Sequence, residues 1–182
     1  MLIFAIGRKD KAIGRRAGVL LAGRAWSGHL GKLYLRLQGW PIVQTDPDFR
    51  SHEGLQAALD GSPIHRWLGF RILSFDVDTG TLVMSAPAGG NAARSDGAPQ
   101  AHGGAIATLI DSAATFACCM KVERSVPTMN MRVDYLRPAA GPTMVATARV
   151  IRAGRTAALV DVDVESGGRL VAVGRCGHAT GG

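Results

Sequence analysis

The sequence has little of what several common protein classes depend on. Only three of its 182 residues are cysteines (Cys118, Cys119 and Cys176), and their spacing fits neither a disulfide framework nor a zinc site. Aromatic residues make up 5% of the chain and are not interleaved with basic residues, as a base-stacking surface would require. We therefore expect reduced thiols, a cytoplasmic location and no nucleic-acid partner.

Long apolar runs and secretory features are also missing. No uninterrupted apolar run approaches the roughly 18 residues that a bilayer span needs. The apolar stretch at residues 2–6 is too short for a secretory signal, and it precedes the first basic residues instead of following them. The sequence therefore predicts no membrane span. Hydrophobic residues still make up 47% and charged residues 19%, a composition typical of a packed core.

The positive charge is concentrated at one end of the chain. The formal net charge is +7, and residues 1–45 hold eight basic residues against one acidic residue. Residues 46–182 hold 13 of each and are neutral. We therefore predict a basic extension (1–45) and a folded domain (46–182). The extension could be a disordered or loosely helical tail, a targeting presequence, or the product of a misassigned translation start.

Periodicity in the second part predicts a mixed α+β domain. Short helices are expected at residues 51–60 and 63–68, and a long helix at 103–120 is apolar on most of its circumference, which is typical of a buried helix. Alternation with period two predicts six strands, at residues 70–75, 81–86, 128–136, 143–152, 158–165 and 169–179. The short links favour an antiparallel meander, with Met129 and Met131 in the core. We expect a curved antiparallel sheet wrapped around the long helix.

One stripe of the long helix is polar, and it carries a carboxylate. Thr108, Asp111, Ser112 and Thr115 occupy positions i, i+3, i+4 and i+7 and share a face. A carboxylate is expensive to bury, so Asp111 either points to solvent or lines a functional cleft. The neighbouring hydroxyls favour a cleft.

Two glycines at the start of the same helix form a second candidate. Gly103 and Gly104 follow His102, and glycine allows a ligand to approach the backbone closely. Free N–H groups at a helix start can bind a polarised carbonyl oxygen, although an ordinary loop-to-helix junction is the simpler interpretation. Gly103 and Asp111 lie about 12 Å apart along a helix. They can act on one carbonyl only if two subunits share the site, as in a twofold dimer.

These motifs together resemble a known family. The segment His102–Asp111 and the later segment Thr128–Pro138, with Asp-Tyr-Leu-Arg-Pro at its end, resemble hotdog-fold acyl-CoA thioesterases of the phenylacetic-acid-degradation (PaaI-like) type. Related 4-hydroxybenzoyl-CoA thioesterases are also similar, and the resemblance covers about residues 55–180. It implies a hotdog fold, hydrolysis of an acyl- or aryl-CoA thioester without a cofactor or metal, and sites between the subunits of a homodimer that often pairs into a homotetramer.

The resemblance also implies roles for individual residues. Asp111 would be the nucleophile or general base, and the Gly103 amide would polarise the thioester carbonyl. His102 would shape that site together with Gly104, and Thr128 would orient the attacking water. Thr115, one turn after Asp111, matches a substrate-contacting threonine of some relatives.

One position departs from the family pattern. Six residues before the histidine, where the family usually has Asn or Gln, this chain has Asp96, and a second carboxylate would repel a developing oxyanion. Asn91 could replace the missing amide if the loop is longer than usual. Arg137, Arg152 and Arg155 are candidate partners for the CoA phosphates, although each could equally be an ordinary surface arginine.

Two alternatives to hydrolysis remain open. The chain could be a hotdog dehydratase or hydratase in which His102 does the acid–base chemistry, although the carboxylate at Asp111 favours hydrolysis. It could also be a non-catalytic protein that binds or senses acyl-CoA. The identity of the acyl group is not predicted, because its pocket would be built from apolar residues at a subunit interface.

Overall fold

A computed structural model describes residues 46–181; the predicted extension, residues 1–45, lies outside the described residues. The described part contains three α-helices and six strands. The helices are α1 (His52–Asp60), α2 (Pro63–Leu68) and α3 (Gly103–Val122), and a single 3₁₀ turn occupies Gly90–Ala92. The strands are β1 (Arg71–Asp76), β2 (Thr81–Pro87), β3 (Thr128–Tyr135), β4 (Thr143–Ala153), β5 (Ala157–Ser166) and β6 (Arg169–Ala179).

All six strands form one antiparallel sheet that curves against α3. The order across the sheet is β1-β2-β4-β5-β6-β3, and every neighbouring pair is antiparallel. Inward-facing side chains of the central strands are buried against the helix, as in the alternating pattern of β5. The predicted α+β class, with about six antiparallel strands around one long buried helix, is confirmed.

The expectation of a simple meander is wrong for β3. This strand leaves α3 and pairs with β6 at the far edge of the sheet, while β4 pairs with β2 on the other side. Only β4, β5 and β6 form a meander. The segment between β3 and β4 passes the ends of β6 and β5 instead of making a hairpin: the Leu136 N–H donates to the Val171 carbonyl oxygen and the Gly141 N–H to the Ser166 hydroxyl. Its prolines Pro138 and Pro142 cannot donate to a ladder.

The expectation that Met129 and Met131 lie in the core is also wrong. Both side chains are exposed, Met129 to 54%, and so is Tyr135 on the same strand. Apolar and polar residues alternate in the sequence of β3, but the strand lies at the sheet edge, and α3 packs mainly on the central strands and leaves most of β3 uncovered. Its apolar residues therefore form exposed surface in the single chain.

Helix α3 fills the concave side of the sheet. Leu109, Ile110 and most of their neighbours on the helix are fully buried. The helix packs so closely on β6 that a Cβ atom at Gly174 would lie 2.4 Å from Cγ2 of Ile110, so only glycine fits there. Among residues 46–181, α3 is the helix whose length and apolar character would match a membrane span, but most of it is buried, as in the core helix of a globular fold.

The two short helices close one side of this core. Ser51 caps α1 by accepting a hydrogen bond from the Gly54 N–H, as its sequence position predicts. Helix α2 ends at Gly69, whose φ of 69° is the left-handed conformation that favours glycine. Leu55 and Leu59 of α1 are buried in the core. This arrangement places α2 beside the polar stripe of α3.

Candidate functional site

His102 organises the start of α3. Its Nδ1 accepts a hydrogen bond from the Gly104 N–H at 2.9 Å, so the side chain acts as the N-cap of the helix. The hydroxyl of Tyr135 donates to the Gly103 carbonyl oxygen at 2.8 Å. Within residues 46–181 no acceptor takes the Gly103 N–H. This amide is therefore a free donor at the positive end of a 20-residue helix.

Aromatic rings lie close to both glycines but constrain only one of them. A Cβ at Gly104 would lie 3.0 Å from Nδ1 of His102, so a larger residue would disturb the cap. A Cβ at Gly103 would lie 3.4 Å from the Tyr135 ring, an ordinary contact. Gly104 is thus required by the cap, whereas the backbone at Gly103 leaves room for a side chain or a ligand.

Two open cavities flank this helix start. One, of about 330 Å³, is lined by Asn91, His102, Gly104 and Thr108 together with apolar residues of α2. The Asn91 amide donates to the Trp67 carbonyl oxygen at 2.6 Å, which holds the side chain at the cavity wall. Asp96 lies exposed in the loop and is not part of this lining. Of the two candidates for the family's amide position, Asn91 is therefore the one beside the helix start.

The second cavity, of about 370 Å³, carries basic residues. Arg94 and Arg137 line it together with Gly103 and Tyr135. Arg137 also donates to the Leu170 carbonyl oxygen at 2.9 Å, which fixes its guanidinium near the cavity. Two arginines beside a helix N-terminus form an environment that favours anions.

Asp111 lies in the middle of α3, half-buried. The Thr128 hydroxyl donates to its Oδ1 at 2.8 Å. Thr128 is the first residue of β3, so the carboxylate is held at the point where the edge strand begins. The structure thus brings together the two residues to which the family resemblance assigns the activation and orientation of water.

Thr115 and His178 extend this cluster into the core. The Thr115 hydroxyl lies 3.3 Å from the Thr128 hydroxyl and 3.1 Å from Nε2 of His178. His178 is fully buried, and its Nδ1 has no hydrogen-bond partner among the described residues. Burial lowers the pKa of His178, and the nearby Asp111 carboxylate opposes this in part.

Ser112 connects the helix to α2 on the other side. Its hydroxyl lies 3.0 Å from Nε2 of His65, whose Nδ1 lies 3.0 Å from the Leu59 carbonyl oxygen. A carbonyl only accepts, so Nδ1 carries the proton and Nε2 accepts from Ser112. Burial lowers the pKa of His65, which is consistent with a neutral ring that links α1, α2 and α3.

The buried thiols are poor nucleophiles. Burial raises the pKa of Cys118 to about 11, and those of Cys119 and Cys176 to about 12. A thiol rather than a thiolate is therefore present near pH 7, and the nucleophilic form is almost absent. All three cysteines are free and buried, which is consistent with the expectation of reduced thiols.

The predicted residues fall into two separate groups. The first lies at the start of α3 and the second around Asp111, about 12 Å away along the helix. Arg137 belongs to the first group. Arg152 and Arg155 are exposed at the turn between β4 and β5 and line neither of the two cavities beside the helix start. Their predicted contact with CoA phosphates remains a prediction.

The sequence assigned no role to four residues that the structure brings to these groups. Arg94 lies in a loop without periodicity, and Tyr135 entered only as part of the Asp-Tyr-Leu-Arg-Pro motif. His65 and His178 are isolated histidines in apolar segments, where a buried structural role is the usual outcome. No local signal links His178 to Thr115, because they are 63 residues apart.

Comparisons with known proteins all point to the same family. The model of the thioesterase superfamily matches residues 100–173, which include the start of α3 and Asp111, Thr115 and Thr128, but not Asn91, Arg94 or His178. Mouse acyl-coenzyme A thioesterase 13 is 40% identical over 79 residues, which cover 41% of this chain and 56% of that protein. The chain thus matches little more than half the length of that curated relative.

Longer matches extend across the domain. Acyl-coenzyme A thioesterase PaaI of Escherichia coli is 29% identical over 118 residues, covering 63% of this chain and 81% of that protein. A crystal structure of a protein from the thioesterase superfamily is 33% identical, with a TM-score of 0.62 over 69% of this chain and 94% of that chain.

Proposed function

Because this chain belongs to the thioesterase superfamily, with its hotdog fold, we propose that it hydrolyses an acyl- or aryl-CoA thioester to the free acid and CoA. The observation that carries the proposal is the half-buried carboxylate of Asp111, held by the Thr128 hydroxyl at 2.8 Å on the polar stripe of a largely apolar helix. The relatives named acyl-CoA thioesterases support the substrate class.

The free N–H of Gly103 supplies the second requirement of the reaction. The thioester carbonyl oxygen accepts a hydrogen bond from this amide, and the helix dipole stabilises the negative charge that develops there. His102 keeps the amide free because its ring takes up the neighbouring Gly104 N–H. Because Nδ1 of His102 already accepts the hydrogen bond from Gly104, this nitrogen is not available for proton transfer, which counts against His102 as the acid–base residue of a dehydratase.

Asp111 activates the water in this mechanism. Thr128 holds one oxygen of the Asp111 carboxylate. The second carboxylate oxygen removes a proton from the water molecule while the oxygen of that water bonds to the carbonyl carbon. The tetrahedral intermediate then collapses, the C–S bond breaks, and the CoA thiolate leaves and takes up that proton. In the alternative, Asp111 attacks the carbonyl carbon itself, the C–S bond breaks as CoA leaves as a thiolate, and water hydrolyses the resulting anhydride to the free acid and the carboxylate of Asp111.

We propose that the site is shared between two subunits. Gly103 and Asp111 of one chain are too far apart to act on the same carbonyl. The exposed edge strand β3, with Met129, Met131 and Tyr135, supplies apolar surface and unpaired backbone groups for a twofold partner. Two equivalent sites then form at one interface. Pairing of two such dimers into a tetramer remains a prediction from the resemblance.

CoA would approach through the basic cavity. Arg94 and Arg137 lie beside Gly103, so the phosphates of CoA can pair with them while the thioester lies on the helix start. Asn91 at the neighbouring cavity can donate its second amide hydrogen to the substrate, in place of the amide that Asp96 does not provide.

Thiol release from a panel of acyl- and aryl-CoA thioesters tests the proposal. We expect hydrolysis of at least one thioester, and Asp111→Asn should lower kcat by about 10²- to 10⁴-fold, since the water loses its base. Asp163→Asn is the matched control: it also removes one carboxylate, on the outer face of the sheet, and should leave kcat unchanged.

Two results would contradict parts of this proposal. Hydrolysis that survives Asp111→Asn would remove Asp111 from the mechanism. Binding of CoA esters without hydrolysis of any of them would favour the acyl-CoA-binding alternative.

A further inference from the structure

We propose that His178 is a positioning residue that orients Asp111 through a chain of hydrogen bonds over Thr115 and Thr128. The inference rests on the proposed function, which gives Asp111 its role. The chain runs from the buried core to the carboxylate in three steps: 3.1 Å from His178 to Thr115, 3.3 Å from Thr115 to Thr128, and 2.8 Å from Thr128 to Asp111.

The carboxylate fixes the direction of every bond in this chain. Ionised Asp111 only accepts, so the Thr128 hydroxyl donates to it. The oxygen of Thr128 is then free to accept from Thr115, and the oxygen of Thr115 is free to accept from His178. The proton of the neutral imidazole therefore sits on Nε2, and Nδ1 is bare.

The opposite tautomer fits the geometry worse. With the proton on Nδ1, the single hydroxyl proton of Thr115 would have to go to Nε2 of His178. The hydroxyl proton of Thr128 is already donated to Asp111, so no proton would remain for a hydrogen bond between Thr115 and Thr128. This tautomer would also bury an N–H group without an acceptor among the described residues. An orphaned donor in the core is rarer than an orphaned acceptor, because desolvation of an unpaired N–H is costly.

Burial makes His178 a rigid end point for the chain. The side chain has no solvent exposure, and its backbone neighbours in the sheet, Thr128 on β3 and Ala158 on β5, carry no charge. From α3, Asp111 is the charged group that acts on it. The imidazole therefore holds Thr115 in one orientation, Thr115 holds Thr128, and Thr128 keeps Oδ1 of Asp111 occupied, which leaves Oδ2 for the water of the proposed mechanism.

Three substitutions at His178 separate a donor role from simple packing. His178→Phe keeps a buried ring without a donor, and we expect kcat to fall about 10- to 100-fold with KM changed less than about twofold. His178→Gln places an N–H near the position of Nε2 and should restore most of kcat. His178→Asn reaches only the position of Nδ1 and should not. Equal activity of the Gln and Asn variants would overturn the proposal.

A double-mutant cycle tests whether the effect passes through Thr115. Thr115→Val breaks the chain at its middle, so adding His178→Phe to it should lower kcat no further. Thr180→Val is the stability control, because it removes another buried hydroxyl, one that donates to the Gly154 carbonyl, close to His178. It should lower Tm but leave kcat unchanged. Fully multiplicative losses in the cycle would contradict the proposal.

Nitrogen NMR of the imidazole gives a measurement that does not depend on turnover. At pH 7 we expect a neutral His178 with the proton on Nε2, whereas a proton on Nδ1 or an imidazolium would overturn the proposal. The two proposals fail separately. Loss of activity in Asp111→Asn together with wild-type kcat in His178→Phe would reject the His178 role alone, whereas full activity in Asp111→Asn would reject the proposed mechanism.

Discussion

At the scale of single residues, the site depends on which polar groups are already occupied. His102 takes up the Gly104 N–H, and this leaves the Gly103 N–H as the free donor at the helix start. Thr128 occupies one oxygen of Asp111 and leaves the other for water. The chemistry thus follows from local hydrogen bonding, since a group that is already paired inside the protein contributes little to a substrate.

The Gly103 amide can be removed without rebuilding the helix. Gly103 is the first residue of α3, where proline is tolerated, and His102 before it has φ −68° and ψ 139°, which suits a residue before proline. Gly103→Pro replaces the N–H with a pyrrolidine ring, so the donor is lost and a ring carbon stands where the substrate oxygen would accept it. We expect kcat to fall about 10²- to 10³-fold.

Gly103→Ala is the control for this prediction, because it keeps the N–H and its Cβ makes an ordinary contact with Tyr135. The kcat and Tm of both variants, measured by steady-state kinetics and thermal unfolding, separate loss of the donor from loss of stability. An active Gly103→Pro enzyme with an unchanged Tm would show that this amide does not bind the carbonyl oxygen.

At the scale of elements, the strands and helices were predicted largely by periodicity. Alternation located β2, β4, β5 and β6 to within a residue or two, and the apolar circumference of residues 103–120 identified α3 as buried. The neighbours of β3 could not be predicted in this way. Alternation shows which face of a strand is apolar but not which strand lies beside it, so Met129 and Met131 were wrongly assigned to the core.

The close packing of α3 on β6 gives a prediction for stability. Gly174→Ala would place a Cβ 2.4 Å from Ile110, and we expect it to lower the free energy of unfolding by about 1–3 kcal/mol. Gly89→Ala should change it by less than about 0.5 kcal/mol, because no atom lies within 4 Å of that Cβ and its φ of −106° suits any residue. Urea unfolding measures both. Equal stability of the two variants would mean that the helix and sheet are less tightly packed than described.

At the scale of the whole molecule, the candidate site is divided. The sequence predicted both halves, the start of α3 and Asp111, and the distance between them. The sequence could not predict the buried part of the site. His178 and Thr115 are brought together by the pairing of β6 with β3, not by their positions in the sequence. Long-range contacts of this kind depend on sheet order, which leaves no local pattern in the sequence. The division itself is the reason to expect a partner subunit.

Mixed dimers of two inactive variants test this shared site most directly. Asp111→Asn and Gly103→Pro chains carrying different affinity tags are co-expressed, and the mixed dimer is purified. One of its two sites then combines an intact Gly103 with an intact Asp111 from the other chain, so we predict about half of wild-type activity from two nearly inactive parents. A mixed dimer as inactive as its parents would show that both groups act within one chain, and would contradict the account.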